Sequence, residues 1–293
     1  MNLTSAALTQ NIAGFQSQVL GGLFGAAGSI AGDLFSSLLG QQVARQKPQA
    51  IAAHGADKSA TSLAANGRNL ALFNPESAFR LSTYINNRDV LYKAQFAELN
   101  QIKSGVSQLQ AAGEVLGKID TETKPAAVEG LLQNFIGRYN HWRESFNADI
   151  EEGGLLDKVQ AAEVSLYELE QSVDNRFFGA QNGVSGLRDL GIRIDPTTHF
   201  ASLDSKQLAA TLSANPNGAV SAIHEFSANF AKSAALLNSD NNFIPKQLDN
   251  LGRVIHYIDE HKVALAQEFG SGDLAIPSGK IAQALALYKQ IYA

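Results

Sequence analysis

Any chemistry in this chain would have to come from histidine, carboxylate, hydroxyl or lysine side chains, because its 293 residues include no cysteine. A thiolate nucleophile, a cysteine-ligated metal and a disulfide framework are therefore excluded. The 6 histidines are His54, His141, His199, His224, His256 and His261. His256 shares the run HYIDEH with Asp259 and Glu260, and imidazole beside carboxylate can hold a metal. Zinc, however, needs three or four converging ligands, as His-Glu-x-x-His supplies on one helix face. His256 and His261 are five positions apart and point to different faces. The acidic run Asp149–Gly154 (DIEEGG) places Glu151 and Glu152 near Asp149 but lacks the alternating twelve-residue spacing of a calcium loop. A solvated turn is expected there. Gly279-Lys280 has the end of a phosphate loop, but Leu274 stands where the loop's first glycine belongs. No Gly-x-Ser-x-Gly and no Gly-x-Gly-x-x-Gly occurs. The expectation is a protein with no catalytic residues, no cofactor and no metal. The net charge of −5 leaves no basic footprint for nucleic acid.

The densest run of position-specific signals lies elsewhere, from Gly183 to Pro216. Leu187, Leu190 and Ile192 lead into an extended piece, Gly191 to Asp195. Asp195-Pro196 turns the chain, since proline fixes φ and keeps its predecessor out of the helical region. His199 to Leu203 returns as a second extended piece. Asp204 is placed to cap a helix, with Gln207 at the capping-box spacing. That helix carries Leu208 and Leu212 and stops at Asn215-Pro216. The pattern predicts a β-hairpin followed by a capped helix, with Leu187, Leu190, Ile192, Leu203, Leu208 and Leu212 as its core.

This stretch resembles the C-terminal region of the flagellar hook-associated protein 2 family, which caps filaments. Leu187, Asp189, Leu190, Gly191, Ile192, Asp195, Leu203, Asp204, Leu208, Leu212, Asn215, Pro216 and Val220 carry the resemblance. Pro196-Thr197-Thr198-His199 departs from it, standing where Asp-Gly is usual. Phe135, Tyr139 and Asn140 match a second family feature, a phenylalanine followed four residues later by Tyr-Asn. The resemblance implies a structural, self-assembling, extracellular protein, exported without a cleaved signal. Its partners would be further copies of itself and neighbouring axial proteins. The family's β-rich head insertion is missing, because only Asp120 to Pro125 joins the two helices that normally flank it. The chain would be a trimmed relative without the plate-forming domains.

The first 44 residues carry one charged side chain, Asp33. Within them Val19–Leu39 is as long as a membrane span, but no Lys or Arg precedes it, and glycines with Asp33 lower its apolarity. Gly21, Gly25, Gly28 and Gly32 form a stripe on a helix, with Leu34 and Leu38 among the bulky residues beside it. Small residues at such spacing let backbones approach closely. Three uses stay open: a terminal segment that orders on assembly through these residues, a membrane-inserting peptide over residues 19–39, and a buried helical hairpin. A polar linker or arm follows over residues 45–76.

Residues 77–269 predict a helical bundle. Leu99, Ile102, Val106, Leu109 and Leu116 recur at heptad-like intervals, with Gly113 at the missed position. Val128 to Trp142 gives a second apolar face with an aromatic stripe of Phe135, Tyr139 and Trp142. A third helix is expected over residues 155–177. Leu248, Leu251, Ile255, Ile258, Leu265 and Phe269 form a second seam, interrupted at Lys262. The Leu99–Leu116 helix and the Leu248–Phe269 helix are expected side by side in one bundle, as coiled-coil-like N- and C-terminal helices. Residues 270–293 predict a C-terminal helix that could pair with the N-terminal segment. The fold class is thus mainly α, an elongated bundle with one small β-hairpin.

Overall fold

The structure is a computed structural model, and it describes residues 63–176 and 183–292. The chain divides after Ala60, and everything described belongs to the second unit. The glycine stripe Gly21, Gly25, Gly28 and Gly32, with Leu34 and Leu38, lies outside the described residues.

The described chain is mainly helical. Its helices are α1 (Pro75–Leu116), α2 (Pro125–Ile150), α3 (Gln160–Asp174), α4 (Ser205–Ala214), α5 (Pro216–Leu237), α6 (Phe243–Phe269) and α7 (Gly279–Tyr292). A 3-10 turn (Leu187–Leu190) and two strands, β1 (Ile192–Ile194) and β2 (Ala201–Leu203), sit between α3 and α4. The strands pair antiparallel, with Ile192 opposite Leu203 and Ile194 opposite Ala201. Several helix starts are written in the sequence. Asn74 accepts from the Ser77 N–H and Asn215 from the Gly218 N–H, each followed by proline at the first helical position.

α1 spans 42 residues, or about 63 Å at the usual helical rise. Its apolar seam is buried throughout, Leu99, Ile102 and Val106 completely. α5 and α6 follow one another along it, both antiparallel to it. Beside the C-terminal half, the Asn238 amide of α5 donates to Lys103 O and the Ser227 hydroxyl to Gly113 O. Beside the N-terminal half, Lys93 pairs with Asp259 of α6, and the Asn69 amide donates to Gln267 O and Glu268 O. The helix that carries Leu248–Phe269 thus lies beside the helix that carries the Leu99–Leu116 seam, as expected. The C-terminal end of the seam is covered by α5.

Gly113, read as the seam's missing position, is a contact. A Cβ there would stand 2.8 Å from the Phe230 ring. Phe230 and Phe226 in turn meet Phe135 of α2 edge-on, with centroids 5.0 and 5.2 Å away. α5 is thus wedged between α1 and the aromatic stripe of α2.

Two boundaries differ from expectation. Residues 67–76, assigned to a polar arm, are tied to the bundle by Asn69 and by an Arg68–Glu76 ion pair at 2.7 Å. The third helix begins at Gln160 rather than Leu155, because Leu155 and Leu156 are buried in a turn where Leu156 N donates to Asp149 O. α7 lies on α1, with Tyr288 edge-on to Phe96 at 5.9 Å.

Filling the Gly113 site tests the wedge. Gly113→Leu should destabilise the protein by about 1–3 kcal/mol, the usual penalty of overpacking, despite leucine's better helix propensity. Chemical denaturation of the variant beside the wild type measures it, and an unchanged midpoint would mean that α5 does not press on α1 there.

Candidate functional site

The hairpin and the helix after it are built around backbone groups that lack a partner of their own. Within the 3-10 turn stands Asp189, whose carboxylate accepts from the Ser185 N–H (2.8 Å) and hydroxyl (2.9 Å). Those bonds, the N–H first, hold the Asp189 carboxyl below the ordinary carboxylate range. The turn ends at Gly191, in the left-handed region at φ 86°, where a Cβ would lie 2.7 Å from Asp204 O. The chain can leave the turn this way only with glycine. Gly191 O then accepts from Asp204 N at 2.9 Å, joining the start of β1 to the start of α4.

Asp204 caps α4 by accepting from Lys206 N and Gln207 N. Gln207, expected to complete a capping box, does something else. Its amide donates to Arg188 O (2.9 Å) and Asp189 O (3.3 Å), and the Thr211 hydroxyl donates to Asp189 O at 2.9 Å. One face of α4 therefore satisfies the carbonyls at the end of the 3-10 turn. Arg188 is fixed outside by both oxygens of Asp174 on α3, at 2.6 and 2.8 Å.

The hairpin loop is organised by Asp195. Its carboxylate accepts from Thr198 N (2.7 Å) and Thr197 N (2.9 Å), bonds that lower its pKa. Asp189 and Asp195 are thus depressed in the folded state. Their stabilising share is present above the unfolded pKa and is lost as pH falls through the folded one. His199 closes the loop at φ 60°, and its Nδ1 meets the Glu170 carboxylate of α3 at 3.0 Å. Glu170 also faces the buried Arg143 of α2 at 3.6 Å.

The outer edge of β2 has no third strand among the described residues. Asn140 of α2 takes that place. Its Nδ2 donates to Ala201 O at 2.8 Å, and its Oδ1 accepts from Ala201 N at 2.7 Å. The side-chain amide presents one donor and one acceptor, as a neighbouring strand would. Beside it the Tyr139 hydroxyl lies 3.5 Å from His199 O, and burial pushes the phenol's pKa up.

Of the residues expected to form the core of this unit, Leu187, Leu190, Ile192 and Leu208 are buried, while Leu203 and Leu212 are partly buried against the same core. Asn140, Gln207 and Thr211 were not singled out as contacts of the hairpin, and their only signal would have been polar residues on otherwise apolar helix faces.

The chemical candidates stay dispersed. His256 pairs with Glu260 at 3.1 Å, Asp259 with Lys93, and His261 Nδ1 with Tyr257 O. Among the described residues no three of His, Asp and Glu are grouped to hold a metal ion. A groove of about 550 Å³ lined by Phe96, Lys246, Asp249, Arg253 and Tyr292 is open and bears both charge signs, without the convergent polar groups of a ligand site. No described helix is long and apolar enough to cross a membrane. No family model, curated protein or solved structure matches this chain.

Asn140→Leu keeps the size of the side chain but leaves both polar groups of buried Ala201 unpaired. It should cost about 2–3 kcal/mol, and exchange protection of the Ala201 amide should collapse first. Thermal unfolding together with residue-resolved hydrogen exchange reads both effects. Wild-type protection in the variant would show that the clamp does not hold the strand.

Proposed function

We propose that this chain is a structural, self-assembling extracellular component of an axial filament, resembling the flagellar cap or hook-associated proteins. One observation carries the reading. The two stretches that bear the resemblance meet: Asn140 bonds Ala201 of β2 across 61 residues, with Tyr139 beside it. Two independent sequence features are thereby parts of one packed unit, which a chance likeness would not require. The loop Asp195–His199 departs from the usual Asp-Gly yet closes tightly through Asp195 and the left-handed His199. Gly117–Lys124 joins α1 to α2 directly, in keeping with a form that lacks the head insertion.

On this reading the chain catalyses nothing and needs no cofactor or metal. It works outside the cell, and its partners are further copies of itself and neighbouring axial proteins. Assembly is assigned to Gly21, Gly25, Gly28, Gly32, Leu34 and Leu38. The sequence of residues 19–39 also favours a second reading, a secreted protein that inserts this segment into membranes.

Light scattering and negative-stain imaging of the full chain, beside a version lacking residues 1–44, separate the two. The assembly reading expects closed rings or filaments from the full chain and monomers from the shortened one. Monomers from both, with detergent or lipid needed to keep the full chain dissolved, would overturn it in favour of membrane insertion.

A further inference from the structure

Three ionisable groups from three helices meet behind the acidic turn. Glu98 of α1 is 8% exposed. Asp149, near the end of α2, has its side chain 1% exposed and accepts from Lys280 Nζ of α7 at 3.1 Å. The expectation that Asp149 belongs to a solvated turn is thereby corrected, since only Glu151, Glu152 and Gly153 of that run are exposed. The Asp149 carboxyl is close enough to Glu98 to act on it. Two buried carboxyls so close are costly to ionise together, which favours a proton on one of them. When neutral, Glu98 can donate its O–H to Asp149, which also accepts from Lys280 Nζ.

The surroundings make this cluster matter for α7. Ala94, one turn before Glu98, Ala284, one turn after Lys280, and Leu155 form a small buried group of their own with Leu91 and Ile281. The first turns of α7 thus rest on a few small apolar contacts and one ion pair. Its far end is held separately, by Tyr288 and Tyr292 against Phe96.

We propose that Glu98, Asp149 and Lys280 form a proton-operated latch that fastens the start of α7 to α1 and the end of α2. The latch is closed while Glu98 is protonated and loosens when Glu98 ionises. Burial first, and then the charge of Asp149, push the Glu98 carboxyl up to about 7 against a smaller opposing pull from Lys280. A released Glu98 titrates near the ordinary 4.5. The folded pKa is therefore raised, so the contribution is complete below the released value and is lost as pH rises through about 7. Loosening is alkaline. Asp149 from α2 and Lys280 from α7 are the groups whose charges act on Glu98. The next ion pairs on α1, Lys93 with Asp89 and Asp259, are separate from it. This inference does not depend on what the protein assembles into.

Hydrogen–deuterium exchange of the full chain at pH 6 and pH 8.5, corrected for the intrinsic pH dependence of exchange, tests it. Protection of peptides covering residues 279–287 and 151–158 should fall at least about tenfold at the higher pH, while α5 changes little. Glu98→Gln stays neutral and can still donate to Asp149, so it should keep these peptides protected at both values. Lys280→Gln should move the midpoint to higher pH, because the cation that eases ionisation is gone. A flat wild-type profile, or a Glu98→Gln profile that follows the wild type, would overturn the latch. If Glu98→Gln does not fold, a Lys280→Gln midpoint that stays put or moves to lower pH overturns it alone.

Discussion

A helix 42 residues long with a continuous apolar seam cannot stand alone in water. Covering α1 is the constraint on which the rest of this unit depends. No other described helix is long enough to do it. The chain uses two in succession, α5 and α6, with α2 and α7 on the remaining flanks. Once α5 lies on α1, its other side presents Phe226 and Phe230, which need the aromatic face of α2. α2, held there, offers Asn140 and Tyr139 to the hairpin. The small sheet is therefore stabilised from outside, as a two-stranded ribbon must be to persist in water.

The polar contacts follow the same logic of completing what packing leaves open. Ser227 and Asn238 of α5 donate to carbonyls of α1 inside its span. Gln207 and Thr211 finish the 3-10 turn, and Asn140 finishes β2. Each is a side chain pairing with main chain, and each fixes register where apolar contact alone would allow sliding. This gives the hairpin unit a defined seat on α2 and α3.

Much of the architecture was legible in the sequence because it rests on local spacing. The Leu99–Leu116 seam, the Asp195-Pro196 turn and the Asp204 cap are short-range patterns, and they appear where the spacing places them. What was not legible is what depends on distant partners. Gly113 looked like a gap because the residue that fills it, Phe230, is on another helix. Gln207 looked like half of a capping box because its true acceptors precede it by a whole hairpin. Asp149 looked solvated because Glu151, Glu152 and two glycines follow it, while the groups that bury it are on α1 and α7. Asn140 gave no sign of its contact, since an amide that mimics a strand has no local signature.

The order in which the chain covers α1 has a kinetic side. Ser227 reaches Gly113 across 114 residues, and Asn69 reaches Gln267 across 198. Contacts this far apart raise the contact order well above that of a bundle of neighbouring helices, and loop closure must precede any reward from burial. On the ribosome α1 emerges long before α5 and α6 exist, with its seam bare. The newborn chain is thus committed to an interval with exposed leucines, in which it is a natural client for a holding chaperone.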